Sequence, residues 1–204
     1  GVDTQQNEHS NRMTMNQTAM PYEDMKRVDD AEFAQIGLFG EVRQHFTEDS
    51  RLIAGLRYDN WQARDERDEI MLNMMMTATN PTEDDTRRDH LGSGFVRYEQ
   101  DFAAHTIYAG VGRSERFPDY WEMIAKETAT SISAFNIDTE KTNQLDVGYL
   151  FTEGQWHAGV SAFYNTMDDF LLIETGFEKP VGMMGTRSTT IVRNVDAHSY
   201  GLEA

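Results

Sequence analysis

The sequence predicts an all-β fold: an antiparallel transmembrane β-barrel segment of about seven strands, with short periplasmic turns and long extracellular loops. Three observations carry this. Seven stretches alternate polar and apolar residues, at 34–46, 51–64, 91–101, 105–116, 142–152, 156–167 and 189–204. Side chains on a strand point to opposite faces in turn, so this period of two is the signature of a sheet with two unlike faces. The joins alternate in length. Those around 47–50, 101–104 and 152–155 are tight, whereas 4–33, 65–90, 117–141 and 168–188 are long and polar. Finally, the mean hydropathy is -0.64 and no run of eighteen apolar residues occurs, which excludes a transmembrane helix. A barrel escapes that test, because only every second residue faces lipid.

Each element supports the pattern. In the first stretch Ala34, Ile36, Leu38, Gly40 and Val42 alternate with Gln35, Phe39, Glu41, Arg43 and His45. The second sets Leu52, Ala54, Leu56 and Tyr58 against Arg57, Asp59 and Trp61. The third is weakened by Gly92 and Gly94, and the fourth alternates Ile107, Ala109 and Val111 with Tyr108, Gly110 and Gly112. The fifth sets Leu145, Val147, Tyr149 and Phe151 against Gln144 and Asp146. In the sixth, Trp156 and Tyr164 bracket Ala158, Val160 and Ala162, as aromatic girdles bracket the apolar band of a barrel. The strands have about the 9–11 residues that cross a bilayer at a tilt. A soluble sheet with one wet face gives the same alternation, but has no reason to sort loop lengths by rim.

An odd strand number and two unpaired edges do not make a finished barrel. The chain opens at Gly1-Val2-Asp3 without a signal-peptide pattern and ends within a strand at Gly201-Leu202-Glu203-Ala204. The expectation is a slice of a larger barrel, with residues 1–204 all belonging to its wall and loops.

Composition excludes several function classes. There is no cysteine, hence no disulfide and no thiolate metal site. The net charge of -17 and pI near 4.6 exclude nucleic acid as a partner, since phosphate binding needs clustered Lys and Arg. The excess acid lies in the long joins, as at Asp65-Glu66-Arg67-Asp68-Glu69 and Glu83-Asp84-Asp85. It serves either as a solvated loop surface or as a funnel that concentrates cations. Ser, His and Asp never form a catalytic motif and nothing resembles a nucleophile elbow, so no catalytic residue and no prosthetic group is expected.

The run from Ile107 to Glu122 contains Arg113-Ser114-Glu115-Arg116-Phe117-Pro118-Asp119-Tyr120-Trp121-Glu122. It resembles a signature of TonB-dependent outer-membrane receptors and is similar to the TonB-dependent copper receptor family. Gly94–Asp101, Glu140–Gly148 and the closing Asn194–Ala197 with Gly201-Leu202-Glu203 support the broader resemblance. It implies a 22-stranded barrel plugged by an N-terminal domain, set in outer-membrane lipid and energised through the TonB complex. Plug and TonB box are absent from these residues. In physical terms Phe117-Pro118 ends a strand, Tyr120 and Trp121 lie at or above the outer interface, and Arg113, Glu115 and Arg116 are expected near the lumen mouth.

Eleven of the twelve methionines fall in long joins: Met13, Met15, Met20, Met25, Met71, Met74, Met75, Met76, Met123, Met183 and Met184. Thioethers are soft ligands that select Cu(I). His9, Met13 and Met15 are close enough to share a metal, and Met74, Met75 and Met76 offer further sites. Packing between loops is the competing explanation for each single Met. His45, His105 and His157 lie near the short-turn rim and are expected to be structural. The function expected is active transport, with copper as the carried ligand. Alternatives are a siderophore or other metallophore receptor and a passive porin-like or adhesin barrel.

Overall fold

The computed structural model describes residues 1–12, 18–73, 76–124, 134–180 and 185–204. Its strands are β1 (Val2–Asn11), β2 (Val28–His45), β3 (Ser50–Asp65), β4 (Glu69–Asn73), β5 (Met76–Thr79), β6 (Thr86–Phe102), β7 (His105–Arg116), β8 (Glu140–Glu153), β9 (Trp156–Pro180) and β10 (Thr186–Glu203). Eight of them form one sheet in the order β1-β2-β3-β6-β7-β8-β9-β10, with β4 and β5 as a separate hairpin. Every pairing is antiparallel.

The seven expected strands are present, and most run further at the long-loop rim than alternation marks. An eighth, β1, lies in the first expected loop. Its sequence Val2-Asp3-Thr4-Gln5-Gln6-Asn7-Glu8-His9 has almost no apolar face, so periodicity is silent there. β9 and β10 continue as a ribbon through most of 168–188, because Phe170-Leu171-Leu172-Ile173 pairs with Val192-Arg193-Asn194-Val195. The acidic pair Asp168-Asp169 sits at a bulge in that ribbon, where Asp169 has φ 59°. A second bulge places Gly176 at φ 89°, a left-handed conformation that glycine adopts at little cost.

The tight turns share one rim. Phe46 N–H donates to Ser50 C=O at 3.0 Å between β2 and β3. Ala103, at φ 52°, turns β6 into β7, and Gly154, at φ 59°, turns β8 into β9. β1 and β2, β3 and β6, and β7 and β8 are joined at the other rim.

The register aligns the apolar positions into continuous rows. Val42, Ala54, Val96, Val111, Leu145, Tyr164 and Tyr200 are successive partners across seven strands. They lie on the open face: Val42 is 59% exposed, Val111 56% and Tyr200 75%. An exposed apolar surface of this extent is not a soluble protein's exterior. It is matched to hydrocarbon, with Trp156 on the short-turn side.

The opposite face is polar and cross-linked. Arg57 donates to Asp3 at 2.8 Å and to Asp59 at 2.7 Å, and Gln35 donates to Asp59 at 2.8 Å. Arg51 bridges Glu99 and Asp101 at 2.5 and 2.7 Å, while Arg97 sits 3.9 Å above the Tyr108 ring. Charges so placed line water, not lipid.

Candidate functional site at the loop rim

Local sequence explains how the loops fold over the polar face. Pro118 follows β7 and cannot continue the ladder. Asp119 then caps the short helix α1 (Tyr120–Met123): Glu122 N–H donates to Asp119 Oδ1 at 2.9 Å, and Asp119 N–H donates to Glu122 Oε2 at 2.8 Å. This reciprocal pair satisfies two donors that the helix start leaves orphaned. The turn aims Met123 and Ile124, 0% and 1% exposed, at the wall. They meet Ala31, Phe33, Trp61, Ala63 and Leu171 in the main buried apolar cluster. Trp61 and Phe117 stack at 4.8 Å, and Arg87 donates to the carbonyl of Ile137 to hold the returning chain.

A buried carboxylate knots the loop bases. Asp30 is 2% exposed and lies at a register shift: His9 pairs with Ala31 and Ser10 with Asp29, so Asp30 is the extra residue. Tyr120 Oη donates to Asp30 Oδ2 at 2.6 Å, and Asn11 Nδ2 donates to the same oxygen. Glu66 N–H donates to the Asp30 carbonyl at 3.0 Å. Residues leading into the first, second and third loops therefore meet at one position. Burial, followed by the hydrogen bond to Asp30, pushes the Tyr120 phenol well above its ordinary value, so it stays a proton donor.

The second loop has its own clasp. Asp65 accepts from Arg67 Nε at 2.8 Å, Arg67 Nη2 at 2.6 Å, Asn80 Nδ2 at 3.0 Å and Thr82 Oγ1 at 2.7 Å. It is wholly buried. The β4–β5 hairpin rises from this base.

Of the six expected metal ligands, His9 is the one whose side chain is described. Its ring stacks on Tyr120 at 4.2 Å and 8°, and meets Phe33 edge-on at 5.5 Å. It borders a recess of about 370 Å³ shared with Gln5, Asn7, Gln35 and Trp121. Met13, Met15, Met74 and Met75 lie outside the described residues; Met76 opens β5. Among the described residues no group of three His, Cys, Asp or Glu has metal-holding geometry. Met123 packs in the buried cluster, so its place in a long join reflects burial. The expectation for the charged run after Val111 changes in part. Arg113 and Glu115 share the outward face with Ile107 and Val111, where Glu115 accepts Gly92 N–H at 3.0 Å above the apolar band. Arg116 faces inward and pairs with Glu122 and Glu140 at 2.9 and 3.3 Å. His105 donates to or accepts from Tyr149 Oη at 2.6 Å near the short-turn rim.

Periodicity could not have found Asp30, because a bulge breaks the very pattern that is being read. The capping box, by contrast, leaves a signal in the sequence that could have marked it, Asp119 followed three positions on by Glu122.

A lipid-matched outer face, a charged inner wall and loops folded over one rim define a stretch of outer-membrane β-barrel. The chain belongs to the family described as TonB dependent receptor-like, beta-barrel, whose model matches residues 1–204. It lies in the bacterial outer membrane, and receptors of this family are transporters. Among solved structures it is similar to the copper transporter OprC, with 38% identity and a TM-score of 0.84 over 99% of this chain and 31% of that one. It also resembles the Serratia marcescens hemophore receptor HasR, solved with its hemophore HasA and heme, at 16% identity, TM-score 0.69, and 87% and 34% coverage. The ferric enterobactin receptor PfeA matches at 13% identity, TM-score 0.55, and 99% and 37% coverage. The last two show the fold alone. The chain spans about a third of the length of these structures. No curated protein matches the sequence.

Proposed function

We propose that this chain is part of the barrel of a receptor that takes up copper, driven through the TonB complex. The observation that carries this reading is the 38% identity to a copper transporter over nearly the whole chain. Two features of the sequence support it. Methionines crowd the extracellular joins, and soft thioethers suit Cu(I). The net charge of -17 attracts cations and repels the anionic chelates that a siderophore receptor would carry. His9, Met13, Met15, Met74, Met75 and Met76 are the proposed ligands.

The test is titration of the full-length receptor with Cu(I) and Cu(II), together with uptake by cells. We expect Met13→Leu with Met15→Leu, and separately Met74→Leu with Met75→Leu and Met76→Leu, to weaken copper binding and uptake. Unchanged affinity and uptake in both sets would remove the loop ligands. A receptor that binds no copper would end the reading itself.

A further inference from the structure

We infer that Asp30 and Tyr120 are positioning residues for His9, fixing its imidazole as a metal ligand at the recess beside β1. This rests on the copper reading above and adds a mechanism to it.

Four observations converge. The bulge inserts Asp30 opposite the His9–Ser10 step, and bulges re-aim side chains beside functional sites. The Asp30 carboxylate is buried, where an ionised group persists only with donors; Tyr120 and Asn11 supply them. Tyr120 is held from three sides: by Asp30 at its hydroxyl, by Phe33 at the ring edge and by the α1 capping box at its backbone. Its ring face then lies parallel to the His9 ring at 4.2 Å. His9 is half-buried and borders the recess, where Phe33 meets its ring edge-on at 5.5 Å.

The chemistry follows from what a ligand must provide. An imidazole binds copper through one ring nitrogen in a defined direction, and a freely rotating ring gives up entropy on binding. Groups that orient a ligating His commonly change metal affinity by about 10–100-fold. Here the orienting contact is a ring stack, not a hydrogen bond to the second nitrogen. Asp30 acts through Tyr120 and does not touch the ion. The recess is otherwise lined by the amides of Gln5, Asn7 and Gln35, by Asp119 and by the aromatic rings around Tyr120, with no cationic side chain among the described residues to oppose an ion.

The experiment uses the full-length receptor in detergent, titrated with Cu(II) and Cu(I), with the EPR spectrum of the Cu(II) form and the melting temperature recorded for each variant. His9→Gln is expected to weaken copper binding about tenfold or more and to remove nitrogen hyperfine structure from the spectrum. Tyr120→Phe keeps the ring and loses the hydroxyl, and Asp30→Asn keeps the shape and loses the charge. Both should weaken binding and shift the copper spectrum, with melting near that of the parent. Neither should weaken binding further when combined with His9→Gln. If His9→Gln weakens binding while Tyr120→Phe and Asp30→Asn leave affinity and spectrum unchanged, the positioning role is overturned. Additive losses in the double variants overturn it too. If copper binds and His9→Gln changes nothing, His9 is no ligand and the inference falls while copper uptake stands.

Discussion

Asp65 and Arg67 are two residues apart, both buried, and joined by two side-chain hydrogen bonds at 2.6 and 2.8 Å. Asn80 and Thr82 complete the carboxylate's shell from the far end of the same loop, and the backbones of Asp84 and Asp85 lock to Asp65 at 2.9 and 3.0 Å. A buried ion pair is not strongly stabilising against an apolar replacement, but removing one partner strands the other. Asp65→Ala should therefore destabilise the second loop by about 3–5 kcal/mol. Hydrogen exchange of the full-length receptor would show this as lost protection at 66–85, with the strands around it unaffected. Equal protection in parent and variant would show that the clasp is incidental. A carboxylate with this role is invisible in the sequence. It sits in a run of five charged residues whose ordinary reading is a solvated surface.

At the scale of elements, α1 is a single turn that anchors the third loop. Its end is fixed by the Asp119 and Glu122 pair, and Arg116 ties Glu122 to Glu140. Asp119→Ala should cost about 0.5–2 kcal/mol and should increase proteolytic cleavage near 117–124 while barrel melting holds. Cleavage unchanged from the parent would show that burial of Met123 and Ile124 alone sets the turn. The elements also show what a single sequence can reveal. Where one face meets lipid and the other water, as in β3, β7 and β8, alternation marks a strand to within two residues. β1 escapes because both its faces are polar, and the outer parts of β9 and β10 escape because the Asp168-Asp169 bulge mimics a loop. The candidate site is less legible still. His9 stands out as an isolated imidazole near methionines, but its partners Asp30 and Tyr120 are 21 and 111 positions away. Only the sheet and the fold-back of the third loop bring them together.

The whole molecule is governed by which face meets which solvent. Along β6 and β8 the same backbone presents Val96 or Leu145 to lipid and Arg97 or Gln144 to the inside, so parity alone should decide the cost of a charge. Val96 is 44% exposed and sits in the row joining Ala54 to Val111. Val96→Arg places a guanidinium in hydrocarbon and should cost about 2–4 kcal/mol where the row crosses the bilayer midplane. Gln144→Arg, on the inner face, should cost far less, since water and the acids of that wall solvate it. Urea-dependent folding of the full barrel into lipid vesicles measures both. The large cost should also shrink in vesicles of shorter-chain lipid, which bring headgroups and water nearer to Val96. Equal costs for the two variants would mean that the face assigned to lipid is not in contact with it, and would undo the assignment of the opposite face, over which the third loop folds, to the barrel interior.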